Sequence, residues 1–188
     1  FADEYMEETV KTPGKSMEYD YFQNEFLPKI KNTPIINFMG GEPTLHPRFN
    51  DIFRNTYNEI LPYSHLSVFT NGLMPDKVLD LMLELAGPNG ARDKNVVFAI
   101  LLNWQTLENI SEKNHERCKE VAEKMLRING YSVTFSINLY SKNQDLEKQC
   151  EEIDAIYQKA GLPKDKQYKV RVSPAFPIIG GEANIYLP

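Results

Sequence analysis

Residues 34–49 read PIINFMGGEPTLHPRF. A short apolar run, rich in β-branched residues, stops at two glycines, a glutamate and a proline. A run of this kind bounded by turn residues reads as a buried strand. Four similar runs follow it: HLSVFTNG, NVVFAILLN, SVTFSINLY and YKVRVSP. The five begin near residues 34, 65, 95, 132 and 168. That spacing fits a strand plus the helix that returns the chain to start the next parallel strand.

The intervening segments carry helical spacing. In RFNDIFRNTYNEIL, Phe49, Ile52, Phe53, Tyr57, Ile60 and Leu61 fall on one stripe. In MPDKVLDLMLELAGP, Pro75 suits a first helical turn and Gly87-Pro88 a stop. Cys118, Val121, Ala122, Met125 and Leu126 form a third stripe, ended by Asn129-Gly130. Leu146, Cys150, Ile153, Tyr157 and Ala160 form a fourth, ended by Gly161. An earlier helix is expected from Ser16 to about Leu27, with Pro28 ending or kinking it. The strands read as nearly continuous apolar runs, above all Val96 to Leu102, which implies a parallel sheet covered on both faces. The pattern admits a doubly wound sheet or a barrel-like (β/α) array. The chain opens with a helix that no visible strand precedes, as if a first strand were missing.

The 188 residues suit one domain with a sizeable core. Net charge is −5, from 21 basic and 26 acidic residues, which weighs against nucleic acid or an anionic membrane as the main partner. No apolar run is long enough to span a bilayer, and no signal-peptide pattern opens the chain. Two cysteines, Cys118 and Cys150, are too few for a secreted disulfide framework. A cytoplasmic protein is the simplest expectation.

Parallel α/β sheets carry their chemistry at the carboxyl ends of the strands. Those ends deliver Gly40, Gly41, Glu42 and Pro43, then Thr70, Asn71 and Gly72, then Asn103 and Trp104, then Asn138 and Tyr140, and finally Arg171 and Ser173. The two glycines allow a ligand to approach bare backbone. Carbonyls freed where the strand ends accept from an ammonium, Glu42 adds negative charge for it, and Pro43 fixes the exit. The site therefore suits a cationic amine. A phosphate loop would want backbone donors and a lysine in the Walker pattern, which is absent. The bland reading of Gly-Gly at a strand end is a turn. Gly180-Gly181-Glu182 repeats the tripeptide without a following helix, so the tripeptide alone decides nothing.

The context decides more. INFMGGEPTLHPRF resembles the strand-and-loop signature of radical S-adenosylmethionine (radical SAM) enzymes. FTNGL resembles that family's next strand end. FADEYM resembles the residues that follow the family's CxxxCxxC motif. The match in unit order covers nearly the whole chain. The resemblance implies a parallel (β/α) partial TIM-type barrel, with five of six strands visible and the first missing. Residues 1–188 would be its core, and 177–188 the start of a C-terminal extension.

The cysteine motif itself is absent. Cys118 and Cys150 are far apart on apolar stripes and read as small core residues. The ligands of a [4Fe-4S] cluster are accordingly expected upstream of Phe1, and the chain alone is expected to be inactive. What the resemblance implies is S-adenosylmethionine bound beside that cluster and cleaved to a 5′-deoxyadenosyl radical. That radical abstracts hydrogen from a substrate, a small molecule or peptide. Flavodoxin or ferredoxin would donate the electron. Gly40, Gly41 and Glu42 would hold the methionine ammonium, and Pro43 would shape the loop. Thr70, Asn71 and Asn103 would approach the cofactor, and Asn138 and Arg171 would reach its ribose or carboxylate. The competing reading is a non-catalytic (β/α) domain that binds S-adenosylmethionine or a small amine without a cluster.

Among single residues, His46 reads as structural or capping. His65 and His115 read as solvated, and three scattered histidines lack zinc-ligand spacing. Trp104 suits core packing as well as substrate stacking. Arg171, between Val170 and Val172, needs a partner if it faces inward: an internal carboxylate or an anionic ligand. The run SEKNHERCKE is a charged helical face.

Overall fold

The computed structural model describes residues 17–87, 95–104, 107, 110–129, 132–139, 144–162 and 170–174. Several expectations lie outside the described residues: the opening FADEYM, the stops at Pro88 and Gly130, Tyr140, the second Gly-Gly-Glu and the 177–188 extension.

Five strands form one sheet: β1 (Ile35–Phe38), β2 (His65–Thr70), β3 (Val97–Trp104), β4 (Val133–Leu139) and β5 (Val170–Pro174). All neighbours are parallel, in the order β1-β2-β3-β4-β5. The order never reverses, as it must in a doubly wound sheet. The protein is thus α/β with an all-parallel, unclosed sheet.

Helix α1 covers residues 19–30 and precedes β1. It is followed by α2 (Phe49–Glu59), α3 (Asp76–Ala86), α4 (Glu112–Asn129) and α5 (Leu146–Lys159), one after each of the first four strands. Pro28 does not end α1. A π-helical turn, Phe22–Phe26, precedes the α-helical turn Leu27–Ile30, and the Leu27 N–H bonds the Phe22 carbonyl. Widening the helix just before Pro28 accommodates a ring that would otherwise strike a preceding carbonyl.

Neighbouring helices touch in order, α2 to α3, α3 to α4 and α4 to α5. Their inward stripes join alternate strand residues in one core: Leu66 and Val68, Phe98, Ile100 and Leu102, Val133, Phe135 and Ile137. Phe53 stands at its centre between Phe38, Phe49 and Phe98. Trp104 closes the core at the end of β3, packed edge-on to Phe135. A smaller cluster of Phe22, Leu27 and Ile52 seats α1 on α2.

The strands were expected to be buried on both faces, and they are not. Burial alternates strictly along β3, where Val97 is 39% exposed and Phe98 is 2% exposed. The helices occupy one face, and no described element covers the other. Apolar content along a strand does not reveal which face is covered when residues such as Val97, Ala99 and Leu101 occupy the open side.

Assignments on three of the helices also change. Leu61, expected on the α2 stripe, lies just beyond the helix and is 47% exposed. On α5, Cys150 is exposed, as is Leu146 at 36%, while Gln149 is buried. Ile153, Tyr157 and Ala160 face the core as expected. On α4, His115 is 1% exposed rather than solvated. It sits three residues before Cys118, so it continues the apolar stripe one turn earlier. It packs against Trp104 with its Nε2 3.3 Å from Glu152 Oε2.

Candidate functional site

The last paired residue of β1 is Phe38, so Met39, Gly40 and Gly41 leave the sheet. Gly40 has φ of +150°, a region that favours glycine. A Cβ built on either Gly40 or Gly41 would meet nothing within 4 Å. The bare backbone therefore borders open space instead of packed neighbours. No described hydrogen bond ends on either glycine's carbonyl.

Glu42 is turned the other way. Its Oε1 accepts from the Thr44 N–H at 3.2 Å, the Thr44 hydroxyl at 2.5 Å and the Thr70 hydroxyl at 2.9 Å. Its Oε2 accepts from the Asn71 N–H at 2.7 Å. Four donors take up most of what one carboxylate can accept. Glu42 thus pins the end of β1 to the end of β2.

The second strand end is tied on every side. The Thr70 hydroxyl also accepts from the Gly72 N–H at 3.1 Å, and Asn71 Oδ1 accepts from the Leu73 N–H at 2.9 Å. The Cys118 thiol donates to the Asn71 carbonyl at 3.1 Å. Gly72 has φ of +80°, and a Cβ there would come 3.3 Å from Cys118 Sγ. Glycine is needed at this turn both for its backbone and for its lack of bulk. Burial, with a lesser push from the Glu42 charge, raises the Cys118 thiol from 9.0 to about 11.

On the third and fourth strands, Asn138 Nδ2 donates to Asn103 Oδ1. Gln144 Nε2 then donates to the Asn138 carbonyl at 3.0 Å and to Gln149 Oε1 at 3.3 Å. Together these ends enclose a cleft of about 250 Å³ lined by Met39, Gly40, Gly41, Phe69, Thr70, Asn71, Leu101, Asn103, Ser136 and Asn138. Six of the nine residues expected from sequence therefore meet in one place. Glu42 and Pro43 lie beside it, lining an apolar groove of about 600 Å³ along β1 that Gly40 and Gly41 share. Arg171 lines neither. It is exposed on β5, with Nε donating to Ser173 Oγ at 3.1 Å.

His46 has the structural role expected of it. Its Nδ1 accepts from the Arg48 N–H at 3.1 Å, which leaves Nε2 to donate to the Met17 carbonyl, also at 3.1 Å. It ties the loop after β1 to the start of α1. His65 is exposed at the start of β2.

Sequence reasoning missed Thr44, Ser136 and Cys118. Ser136 was readable: it alternates with Thr134 and Asn138 in SVTFSINLY, so it shares their face. Thr44 directly follows the Glu-Pro pair and suits a short side-chain hydrogen bond back to Glu42. Cys118 lies 47 residues from Asn71, and no local pattern marks the contact.

The cysteines do not fit an iron–sulfur cluster. Cluster ligands are thiolates, and Cys118 is a buried thiol held protonated and bonded to Asn71. Cys150 is on the exposed side of another helix. Among the described residues no group of three or more His, Cys, Asp or Glu side chains converges as metal ligands would. No described helix is long and apolar enough to cross a membrane. No protein-family model, curated protein or solved structure matches the chain.

Proposed function

We propose that the cleft at the strand ends binds S-adenosylmethionine, and that the chain is the cofactor-binding core of a radical SAM enzyme. The observation that carries this reading is the open, unbonded backbone at Gly40-Gly41, set at the mouth of a neutral, amide-lined cleft. An α-ammonium needs acceptors without bulk in front of them, and these carbonyls supply them. Because the Glu42 carboxylate is spent on the loop, its part is to hold the carbonyls in place. Asn103, Ser136 and Asn138 offer neutral donors and acceptors to a ribose or a base edge.

The sequential order of the strands, with helices on one face, supports a partial TIM-type barrel whose inner face is the open one. The outer edge of β1 pairs with no described strand, and the apolar groove beside it is suited to a further strand. A cluster would need three thiolates from outside these 188 residues. When present, it would supply the electron that cleaves the bound sulfonium. The chain's own residues bind the cofactor, orient it and exclude water on one side.

The misfit of both cysteines favours a second reading, a non-catalytic domain that binds the same ligand. Titration calorimetry on the chain tests binding under either reading. S-adenosylmethionine should bind saturably, and methylthioadenosine, which lacks the ammonium, about tenfold or more weakly. Equal affinities would remove the ammonium site. The product of the full gene, reconstituted anaerobically with iron and sulfide, then separates the two readings. Absorbance near ~400 nm and release of 5′-deoxyadenosine support the enzyme. Their absence from a reduced, S-adenosylmethionine-bound sample leaves the binding domain.

A further inference from the structure

Four of the five described arginines have a carboxylate partner: Arg48 with Asp51, Arg54 with Glu84, Arg117 with Asp76 and Glu120, and Arg127 with Glu123. Arg171 is the fifth. Among the described residues its one polar side-chain partner is the Ser173 hydroxyl. That bond uses Nε and leaves both terminal nitrogens of the guanidinium free, the edge that meets an oxyanion with two parallel hydrogen bonds.

The register places this arginine on the open face. Asn103 pairs with Ser136, and Ser136 with Arg171, so the three form one row across β3, β4 and β5. Asn138 and Ser173 pair two residues further on. Residues on this face of the five strands include no aspartate or glutamate. Arg171 therefore supplies the face with its one full charge, and that charge is positive.

Distance separates this charge from the ammonium site. β1 and β5 are four strand spacings apart in the sheet, roughly 19 Å along its surface. The ammonium and carboxylate of S-adenosylmethionine share one carbon. A cofactor anchored by its ammonium at Gly40-Gly41 cannot bring its carboxylate to Arg171.

We infer that Arg171, oriented by Ser173, binds the oxyanion of a second ligand, a substrate that carries a carboxylate or a phosphate and lies across the open face beside the cofactor. This rests on the reading of the cleft as the S-adenosylmethionine site. It narrows the substrate from any small molecule or peptide to an anionic one, and it moves Arg171 from the cofactor to the substrate.

The test is nitrogen-detected NMR of the arginine side chains in the whole chain at low ionic strength, titrated with inorganic phosphate and, separately, with acetate. Chloride at matched ionic strength is the control. The Arg171 Nε signal should shift saturably with at least one oxyanion while the four paired arginines stay still. Phosphate alone identifies a phosphorylated substrate, acetate alone a carboxylate, and both the shared oxyanion chemistry. Ser173→Ala should weaken the response severalfold, and Arg171→Gln, which removes the reporting Nε–H, should delete this signal alone and so assign it. Arg171→Gln should leave S-adenosylmethionine affinity unchanged.

No saturable shift with either anion overturns the inference. So does an affinity for S-adenosylmethionine that falls about tenfold in Arg171→Gln, because the arginine would then belong to the cofactor. If S-adenosylmethionine fails to bind the unaltered chain while the Arg171 signal still responds, the cofactor reading fails and the oxyanion site stands.

Discussion

The two faces of the sheet are built from alternate residues of the same strands, yet they obey different rules. On the covered face, Leu66, Val68, Phe98, Ile100, Leu102, Val133, Phe135 and Ile137 are apolar and at most 2% exposed, and Thr70 joins them as a buried polar residue at the carboxyl end of β2. On the open face, Asn37, Ser67, Phe69, Leu101, Asn103, Thr134, Ser136, Asn138 and Arg171 mix polar and apolar groups. The covered face is specified by packing. The open face carries hydrogen-bonding groups at its carboxyl end, where they line the cleft, and this is what a ligand surface needs. The same backbone thus separates a packed face from an open one by side-chain parity, and only at the end of β2 does a covered-side residue, Thr70, reach the cleft.

Truncation on each face is the strongest way to break this contrast. Phe135→Ala leaves a hole between Trp104 and Tyr157 and should cost about 3–5 kcal/mol. Leu101→Ala, half-buried on the open face, should cost about 1 kcal/mol or less. Urea unfolding of both variants checks the pair, and similar losses would mean that something also packs on the open face. Glu42→Ala should come next, at about 2–4 kcal/mol, because it strands the hydroxyls of Thr44 and Thr70, which are 1% and 4% exposed. If Glu42 served only the ligand, its loss would weaken binding and leave the urea midpoint in place.

Cys118 sharpens the contrast from below, since its thiol props the cleft loop from the covered side. Its folded value near 11 stands above the ordinary 9.0, so the unfolded chain loses this proton first. Stability from this group is complete below pH 9 and declines as pH rises toward 11. Cys118→Ser should flatten that decline. At neutral pH a thiol reagent should label Cys150 quickly and Cys118 only at the rate of unfolding. Equal labelling of both would show that the loop opens readily.

Much of this was legible in the sequence, and the exceptions share a cause. Strand runs and helical stripes are local patterns, and they gave five parallel strands with a helix after each of the first four. The polar strand ends followed from the rule for parallel sheets, and Gly40, Gly41, Thr70, Asn71, Asn103 and Asn138 do share one cleft. What failed depends on contacts distant in sequence. Cys150 and Gln149 are adjacent, and only the position of α5 over the Gln144–Asn138 bonds decides which is buried. His115 looks solvated amid charges until Trp104 is placed beside it. Glu42 reads as a free charge until the end of β2, 28 residues away, brings Thr70 to it.

The smallest expected change in stability is the most telling for the site. Gly41 is outside the left-handed region, and a methyl group there would touch nothing. Gly41→Ala should therefore fold as well as the parent, or slightly better, since alanine restricts the unfolded chain by about 0.4–1 kcal/mol. On the proposed reading, the same methyl would stand in the space from which an ammonium would reach the carbonyls. S-adenosylmethionine affinity should fall by about tenfold or more, while the melting temperature without ligand holds. Gly72→Ala supplies the opposite case: its Cβ meets Cys118 and its φ is positive, so stability and binding should fall together. A Gly41→Ala chain that binds normally would mean that the open backbone at the end of β1 is a turn and nothing more.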